Sequence, residues 1–215
     1  MLRGLYAITD ERLTPLPTIQ SQVEAILKGG AKILQFRYKG EITPAVIETA
    51  DALQHLCRLY RTTFIVNDHI ELALKIDADG IHIGKEDADD LSTLRRRLPG
   101  KIIGVSCYGE IERAIAAEKA GADYVAFGAF FPSETKPNAK RIDPKILEEA
   151  KKHVHLPLCA IGGITVENGA ELLRQGADML SVVGALWRAS DPKEEAERFS
   201  ALFYQSSTRK SEERK

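Results

Sequence analysis

Acidic side chains follow two apolar runs within one short stretch of this chain, FIVNDHIELALKIDADGIHIGKED, which extends from Phe64 to Asp87. The runs FIV and GIHI are followed by Asp68 and Asp87, respectively. Two carboxylates that meet at one site suit a hard divalent cation, most naturally Mg²⁺ completed by water and phosphate oxygens. The alternative is structural, with Asp68 capping the next helix and Asp87 lying on a loop surface. Position alone leaves both interpretations open.

A row of polar side chains ends the second predicted strand, in the segment QFRYK. Gln35, Arg37 and Lys39 stand two residues apart, so the period of a strand places all three on one side. Burying such a row is costly unless it meets an anion. Neighbouring predicted strands add Asn67 and Ser106 at the same end. We therefore expect an anion-binding wall here; the alternative is a solvated edge strand.

A long loop, FPSETKPNAKR, follows the sixth predicted strand. Long loops in compact domains are often functional, as lids or phosphate clamps. The hydroxyl and basic side chains of this loop are Ser133, Thr135, Lys136, Lys140 and Arg141. The composition suits phosphate binding, and the alternative is a solvated basic loop.

Glycines follow the last two predicted strands, Gly162 and Gly163 in IGGIT and Gly184 in VVGAL. Glycine permits close approach to the backbone, and this position is the common phosphate site of parallel barrels. Together with the carboxylate pair and the cationic row, it predicts two phosphorylated substrates, or one large one. The chemistry would be Mg²⁺-assisted transfer at a phosphate or diphosphate.

Eight apolar runs of strand length alternate with helical patterns along the chain and must position these residues. They are short apolar runs rather than alternating ones, which is typical of parallel strands covered on both faces. Eight such units in about 205 residues predict a single-domain α/β protein, a (β/α)8 TIM barrel; a doubly wound open sheet is the alternative. The predicted strands are residues 5–9, 33–38, 63–67, 80–84, 101–107, 124–130, 158–162 and 179–185.

Strand direction sorts the acids into two groups. Barrel enzymes build their sites from the loops that follow strands, whereas the loops that precede strands serve stability. Asp68 and Asp87 follow adjacent predicted strands, so their carboxylates can converge. Other aspartates precede a strand beside Gly or Ala, where Asp is a good turn residue. These structural candidates are Asp77, Asp79, Asp123 and Asp178.

Bulk composition excludes several classes of protein. A net charge of −1 gives no reason to expect nucleic acid or a membrane surface as a partner. No segment approaches the roughly 18 apolar residues of a membrane span, and three widely separated cysteines predict buried thiols in a reducing compartment. We expect a soluble, cytoplasmic protein with a barrel domain at 1–204 and a polar, disordered tail at 205–215. The oligomeric state, including a homo-oligomer, stays open.

Seven segments, in order, resemble the thiamine-phosphate synthase (thiamin phosphate pyrophosphorylase) family over nearly the whole fold. They are QFRYK, NDHIELAL, DGIHIGKED, GVS, GADYVAFGAFFPSETK, AIGGI and SVVGAL. The resemblance implies a Mg²⁺-dependent transferase of thiamine biosynthesis. It would join 4-amino-2-methyl-5-(diphosphooxymethyl)pyrimidine to 4-methyl-5-(2-phosphoethyl)thiazole and release thiamine phosphate and pyrophosphate.

The resemblance also implies a role for each matched residue. The pyrimidine diphosphate would be bound by Gln35, Phe36, Arg37, Tyr38, Lys39, Asn67, Ser106 and Lys136. Among these, Arg37, Lys39 and Lys136 would be catalytic because they stabilise the charge that grows on pyrophosphate. The thiazole phosphate would be bound by Ser133, Glu134, Thr135, Gly163, Val183 and Gly184. Asp68 and Asp87 would hold Mg²⁺.

A few positions depart from the usual family pattern. Ser133 stands where Thr is typical, Lys85 where Gln is common and Tyr108 where His is often seen. Gly184 replaces a frequent Ser, which removes one side-chain donor and leaves backbone N–H groups for the phosphate. These departures concern the thiazole-phosphate contacts and not the diphosphate side.

Three other functions compete with this reading. A thiazole tautomerase relative shares the barrel but typically lacks the acidic pair and has a degraded FPSETK loop. A phosphosugar epimerase or Schiff-base aldolase is the second, and a Schiff base would have only Lys39 as a candidate at this end of the strands. The third is a non-catalytic phosphate-binding barrel, whose expected mark would be loss of a metal or diphosphate ligand.

Overall fold

Eight short parallel strands, β1 to β8, pair in sequence order and close on themselves, since β8 also pairs with β1. This computed structural model describes residues 2–84, 91–134 and 137–212, with side chains as far as Tyr204. The closed parallel barrel confirms the predicted (β/α)8 fold and its single domain. The strands are β1 Gly4–Ile8, β2 Ile33–Phe36, β3 Thr63–Asn67, β4 Gly80–Ile83, β5 Ile102–Tyr108, β6 Tyr124–Phe127, β7 Leu158–Ile161 and β8 Met179–Val182.

The helices of the described residues follow the strands as the fold requires. They are α1 Ile19–Lys28, α2 Pro44–Leu59, α3 Ile70–Lys75, α4 Leu91–Arg97, α5 Ile111–Ala120, α6 Ile146–His153, α7 Val166–Arg174, α8 Gly184–Trp187 and α9 Pro192–Glu212. Helix α9 extends to residue 212, but the side chains of residues 205–212 are not described. The predicted disorder of the tail therefore stays a prediction. None of the helices in the described ranges is long and apolar enough to cross a membrane.

Both faces of each strand are buried, which explains why the strands lack a polar alternation. On β2, Leu34 and Phe36 belong to the larger hydrophobic core, which includes the inward faces of the helices. Ile33 belongs to a second, smaller core formed by strand residues such as Ile65 and Met179. Successive side chains on a strand point to opposite faces, so the smaller core is the barrel interior. Side chains on the same face of a strand as Ile33 therefore point into the barrel interior.

The aspartates that precede strands lie at the amino end of the barrel, as predicted. Three of them accept a hydrogen bond from a backbone N–H at the start of the preceding strand. The donor and acceptor pairs are Phe64 to Asp79 (2.7 Å), Ile103 to Asp123 (2.8 Å) and Leu158 to Asp178 (2.9 Å). Each carboxylate satisfies a backbone donor at a strand start, so these residues stabilise the fold.

All three cysteines are buried and free of disulfide bonds. Burial raises the pKa of the Cys57 and Cys107 thiols to about 12, and burial also raises that of Cys159. The thiols therefore stay neutral near pH 7 and pack as small apolar side chains. This agrees with the sequence-based interpretation of these residues.

Candidate active site

A cavity of about 1270 Å³ opens at the carboxyl ends of the strands. Pockets for one small ligand range up to about 1,000 Å³, so this cavity has room for two small substrates. Each strand contributes to its wall at or near its carboxyl end, through Ile8, Gln35, Asn67, His82, Ser106, Ala126, Ile161 and Ser181. The site therefore lies where the direction of barrel strands predicts.

The polar wall predicted for the diphosphate is present on the strands from β2 to β5. Gln35, Arg37, Asn67 and Ser106 all line the cavity. Arg37 lies just past the end of β2, and Thr9 Oγ1 holds it there by accepting from the Arg37 N–H at 2.9 Å. The structure thus brings four of the predicted residues to one wall.

The alternate residues of QFRYK point away from this wall. Phe36 is buried in the core between barrel and helices. Its ring stacks parallel to that of Tyr38 with 6.2 Å between the centroids. The strand ends at Phe36, two residues earlier than predicted. Contacts of Phe36 and Tyr38 with a substrate stay predictions.

Asp68 forms a cluster with Lys39 and Asn67, and of these three residues only Asn67 lines the cavity. Its Oδ2 accepts from Lys39 Nζ at 2.5 Å and from Asn67 Nδ2 at 2.7 Å. The residue has a φ of +60°, which Asp tolerates better than most residues. It does not cap α3, because the residue at the helix N-cap is His69 and makes no side-chain cap bond. The capping alternative therefore does not describe Asp68.

The Asp68 carboxylate is the one described ligand of the predicted cation pair. Its carboxylate already faces a positive charge, the Lys39 ammonium, which a metal ion could replace. Its side chain is 30% exposed, so solvent can reach it. Within the described residues, no three His, Cys, Asp or Glu side chains form a metal-binding group. Asp87 lies outside those residues, so the predicted pair is not tested.

A chain of buried hydrogen bonds crosses the barrel interior beneath the polar wall, and sequence reasoning missed it. Gln35 Nε2 donates to the Tyr6 hydroxyl at 2.8 Å, and this hydroxyl lies 2.7 Å from that of Tyr124. The Tyr124 hydroxyl lies 2.9 Å from His82 Nδ1, and His82 Nε2 lies 2.8 Å from Ser106 Oγ. The chain therefore connects two predicted substrate residues, Gln35 and Ser106.

The direction of the hydrogen bonds in this chain depends on the His82 tautomer. In one of these arrangements Tyr6 donates to Tyr124, Tyr124 donates to His82 Nδ1 and His82 Nε2–H donates to Ser106 Oγ. That arrangement leaves the Ser106 hydrogen for a group in the cavity. Burial raises the pKa of both Tyr6 and Tyr124, so both phenols stay neutral.

The opposite wall is built from glycine backbone. Gly163 has a φ of +61°, and a Cβ there would lie 2.2 Å from the Pro132 carbonyl oxygen. The loop after β6 therefore packs directly on Gly163, as only glycine allows. Gly163 and Gly184 line the cavity together with Val183. This is the wall predicted for the thiazole phosphate.

The loop after β6 brings two more predicted residues, Ser133 and Glu134, to the cavity. Glu134 Oε2 forms an ion pair with Arg188 Nη2 at 3.0 Å. Arg188 also lines the cavity and was not predicted. Thr135 and Lys136 lie outside the described residues, so their predicted roles are not tested.

Comparison with known proteins decides the family. The model of a family described as thiamine monophosphate synthase matches residues 5–186. The chain belongs to the thiamine monophosphate synthase family. Thiamine-phosphate synthase of Aromatoleum aromaticum is 46% identical over 203 residues, which cover 94% of this chain and 97% of that protein. Thiamine-phosphate synthase of Thioalkalivibrio sulfidiphilus is 43% identical, with coverage of 94% and 96%.

Solved structures agree with this thiamine monophosphate synthase membership. Thiamine phosphate pyrophosphorylase from Pyrococcus furiosus superposes with a TM-score of 0.86 at 35% identity, covering 94% of this chain and 96% of that one. A 3-hexulose-6-phosphate synthase from Salmonella typhimurium shares the fold at a TM-score of 0.70 and 22% identity. The second likeness shows the barrel alone.

Three residues of this thiamine monophosphate synthase family member carried weak signals in the sequence. Tyr6 and His82 interrupt apolar strands, and an isolated polar residue there usually indicates a buried partner. Arg188 follows Gly184 by one helical turn, but a four-residue helix leaves too little periodicity to detect. Such signals mark a residue for attention without naming its partner.

Proposed function

We propose that this chain condenses the pyrimidine diphosphate with the thiazole phosphate to give thiamine phosphate and pyrophosphate. The observation that carries the proposal is one cavity with two unlike walls. Arg37 with Gln35 and Ser106 faces it from one side, and the glycine backbone of Gly163 and Gly184 from the other. This layout suits two phosphorylated substrates that react between the walls.

The chemistry of such a step asks for little acid–base help from the protein. The 4-amino group of the pyrimidine donates electrons as the diphosphate leaves, which gives a cation-like methylene carbon. The thiazole nitrogen then attacks that carbon from the opposite face, from about 3 Å away in a near-attack arrangement. No nucleophilic Ser or Cys is needed, which is consistent with the neutral, buried thiols.

The protein would mainly stabilise the charge that grows on pyrophosphate. Arg37 supplies a guanidinium at the cavity wall. Lys39 is paired with Asp68 and would turn to the diphosphate when a metal takes its place. Lys136 is proposed for the same role on family resemblance. Ser106 would donate its hydroxyl hydrogen to the pyrimidine diphosphate in the tautomer in which His82 Nε2–H donates to its oxygen.

Mg²⁺ is proposed as the cofactor, held by Asp68 together with Asp87. When bound, it would neutralise the diphosphate and polarise the leaving group. Asn67 holds the Asp68 carboxylate by donating to Oδ2. This second partner would keep the ligand oriented while Lys39 is displaced.

The competing functions find less support in the site. A Schiff-base aldolase needs a buried, neutral lysine, whereas Lys39 is 48% exposed and paired with Asp68. A thiazole tautomerase or a non-catalytic barrel would not need the polar wall that Gln35, Arg37 and Ser106 form. Both stay as outcomes of the test.

The test is formation of thiamine phosphate by the purified chain from both substrates, with Mg²⁺ and with EDTA, beside Asp68→Ala. Metal-dependent product that collapses in Asp68→Ala supports the reaction and the metal ligand together. Product that survives EDTA and the substitution overturns the metal assignment and leaves the reaction. Absence of product from folded protein favours a tautomerase or a non-catalytic barrel.

A further inference from the structure

Arg188 fills the space that a side chain at position 184 would occupy. An ideal Cβ on Gly184 would lie 2.5 Å from Arg188 Nη1 and 3.5 Å from its Cζ. Arg188 is one helical turn further on, and its N–H donates to the Gly184 carbonyl at 3.0 Å. Helical side chains point back toward the N-terminus, which places this guanidinium over the glycine. The missing side chain at Gly184 therefore makes room for a cation in the cavity wall.

The guanidinium is held only weakly in its present position. Its ion pair with Glu134 joins side chains that are 46% and 80% exposed. Exposed pairs of this kind contribute little to stability, so the carboxylate can be exchanged for another anion at small cost. A guanidinium also has five N–H donors in a planar fork, and phosphate oxygens match that geometry.

Neighbouring charges on this wall distinguish Arg188 from a second cavity arginine. Arg198 donates to two carboxylates, Glu195 at 2.7 Å and Glu167 at 3.1 Å. Arg188 is joined to Glu134 alone among the described ion pairs. Arg188 is therefore the arginine of this wall that can turn to a bound dianion with the smaller loss of existing contacts.

We propose that Arg188 binds the phosphate of the thiazole substrate and sets the preference for the phosphorylated over the unphosphorylated thiazole. The inference rests on the proposed function, because it takes the glycine wall as the thiazole phosphate site. Glu134 holds the guanidinium at the wall until the phosphate replaces it. The chain thus supplies from Arg188 the donor that position 184 lacks.

The experiment compares binding of the thiazole phosphate and of the thiazole alcohol to the full chain by calorimetry, for the wild type and Arg188→Ala. Charge-assisted hydrogen bonds contribute enough to predict roughly 10- to 100-fold weaker binding of the phosphate. Binding of the alcohol should stay within about twofold, since it has no phosphate to contact Arg188. Steady-state rates should show a raised KM for the thiazole phosphate and an unchanged KM for the pyrimidine diphosphate.

Two further variants guard against a trivial result. Gly184→Ala keeps Arg188 but adds a methyl group where the guanidinium lies. Like Arg188→Ala, it should therefore lower the affinity for the thiazole phosphate. Arg198→Ala is the matched control. It should change the affinity for the thiazole phosphate less than about threefold, because Arg198 is already paired with Glu195 and Glu167. Circular dichroism confirms that each variant is folded.

The inference and the proposed function fail in different ways. Equal loss of phosphate and alcohol binding in Arg188→Ala, or no loss at all, overturns the inference while wild-type turnover leaves the reaction intact. In the opposite case, the wild type forms no thiamine phosphate, but Arg188→Ala selectively weakens binding of the thiazole phosphate. This result overturns the reaction and supports the phosphate site.

Discussion

The two ends of this barrel use aspartate differently. At the amino end, Asp178 accepts from the Leu158 backbone N–H at 2.9 Å and from Lys151 Nζ at 2.5 Å. At the carboxyl end, Asp68 accepts only side-chain donors in its described contacts, those of Lys39 and Asn67. A backbone donor cannot leave without breaking the fold, whereas a lysine can turn away. The first arrangement suits stability and the second suits exchange with a ligand.

The largest expected effect of a substitution is on turnover at the carboxyl end. Asp68→Asn removes the negative charge but keeps a residue that tolerates the +60° φ. We expect turnover to fall about 100-fold or more, as for the loss of one key electrostatic group. The free energy of unfolding should change by less than about 0.5 kcal/mol. Steady-state kinetics and urea denaturation measure the two quantities.

A binding readout separates metal loss from other causes in this variant. Mg²⁺ with pyrophosphate should raise the unfolding temperature of the wild type and have much less effect on Asp68→Asn. If the variant keeps both its turnover and this stabilisation, Asp68 is not a ligand, and its likeness to the amino-end aspartates is closer than the contacts indicate.

The barrel interior between the two ends should show a mixed effect. Tyr124→Phe removes the hydroxyl that lies 2.7 Å from Tyr6 Oη and 2.9 Å from His82 Nδ1. Both partners are buried, so the free energy of unfolding should fall by about 1–3 kcal/mol. The His82 ring would also lose its orientation toward Ser106, which should raise KM for the pyrimidine diphosphate.

Tyr60→Phe is the matched control for this interior prediction. It also removes a phenol hydroxyl, the one that donates to Glu24 at 3.1 Å, but on the outside of the barrel. Its free energy of unfolding should change by less than about 0.5 kcal/mol and its kinetics should not change. Equal effects of the two variants would show that the buried chain does not position Ser106.

The amino end should give the reverse of the Asp68 result. Asp178→Ala leaves the Leu158 N–H without its acceptor, and this should lower the free energy of unfolding by about 1–3 kcal/mol. The kcat measured well below the unfolding temperature should equal that of the wild type. A fall in kcat with unchanged stability would overturn the division of roles between the two ends.

The sequence predicted the strands and the roles of the amino-end aspartates because both depend on local pattern. Asp79, Asp123 and Asp178 each follow an Ala and stand directly before a strand, a turn position that suits Asp. The predicted and observed ends of the eight strands differ by at most three residues, so the strands were predicted better than their exact ends. Strand β2 stops at Phe36, so the two-residue period no longer governs Lys39, which pairs with Asp68 instead.

Contacts between distant parts of the chain were beyond such local reasoning. The buried chain joins Tyr6 to Tyr124 and Tyr124 to His82, residues that are far apart in sequence. No spacing in the sequence indicates that these side chains meet, because closure of the barrel alone brings them together. The Glu134–Arg188 pair is hidden for the same reason. The residues that line the cavity at neighbouring strand ends were therefore predictable, and their supporting partners were not.

The smallest expected effect is a change of stability with pH at the amino end. The hydrogen bond from Lys101 Nζ to Asp77 at 2.5 Å, with the charge of that lysine and a bond from Arg58, lowers the pKa of Asp77 below its ordinary 3.8. A lowered pKa in the folded state stabilises the fold above the unfolded value, and this contribution is lost as pH falls through the folded value. Asp77→Asn should therefore be slightly less stable than the wild type at pH 7, and the difference should shrink between about pH 5 and about pH 3. Because Asp77 is 72% exposed, the difference is expected to be small.

Lys101→Met removes the main cause of the lowered pKa and should flatten the same pH dependence of the free energy of unfolding, measured by urea denaturation at each pH. A difference that stays constant down to about pH 3 would show that Asp77 contributes through shape and not through its charge.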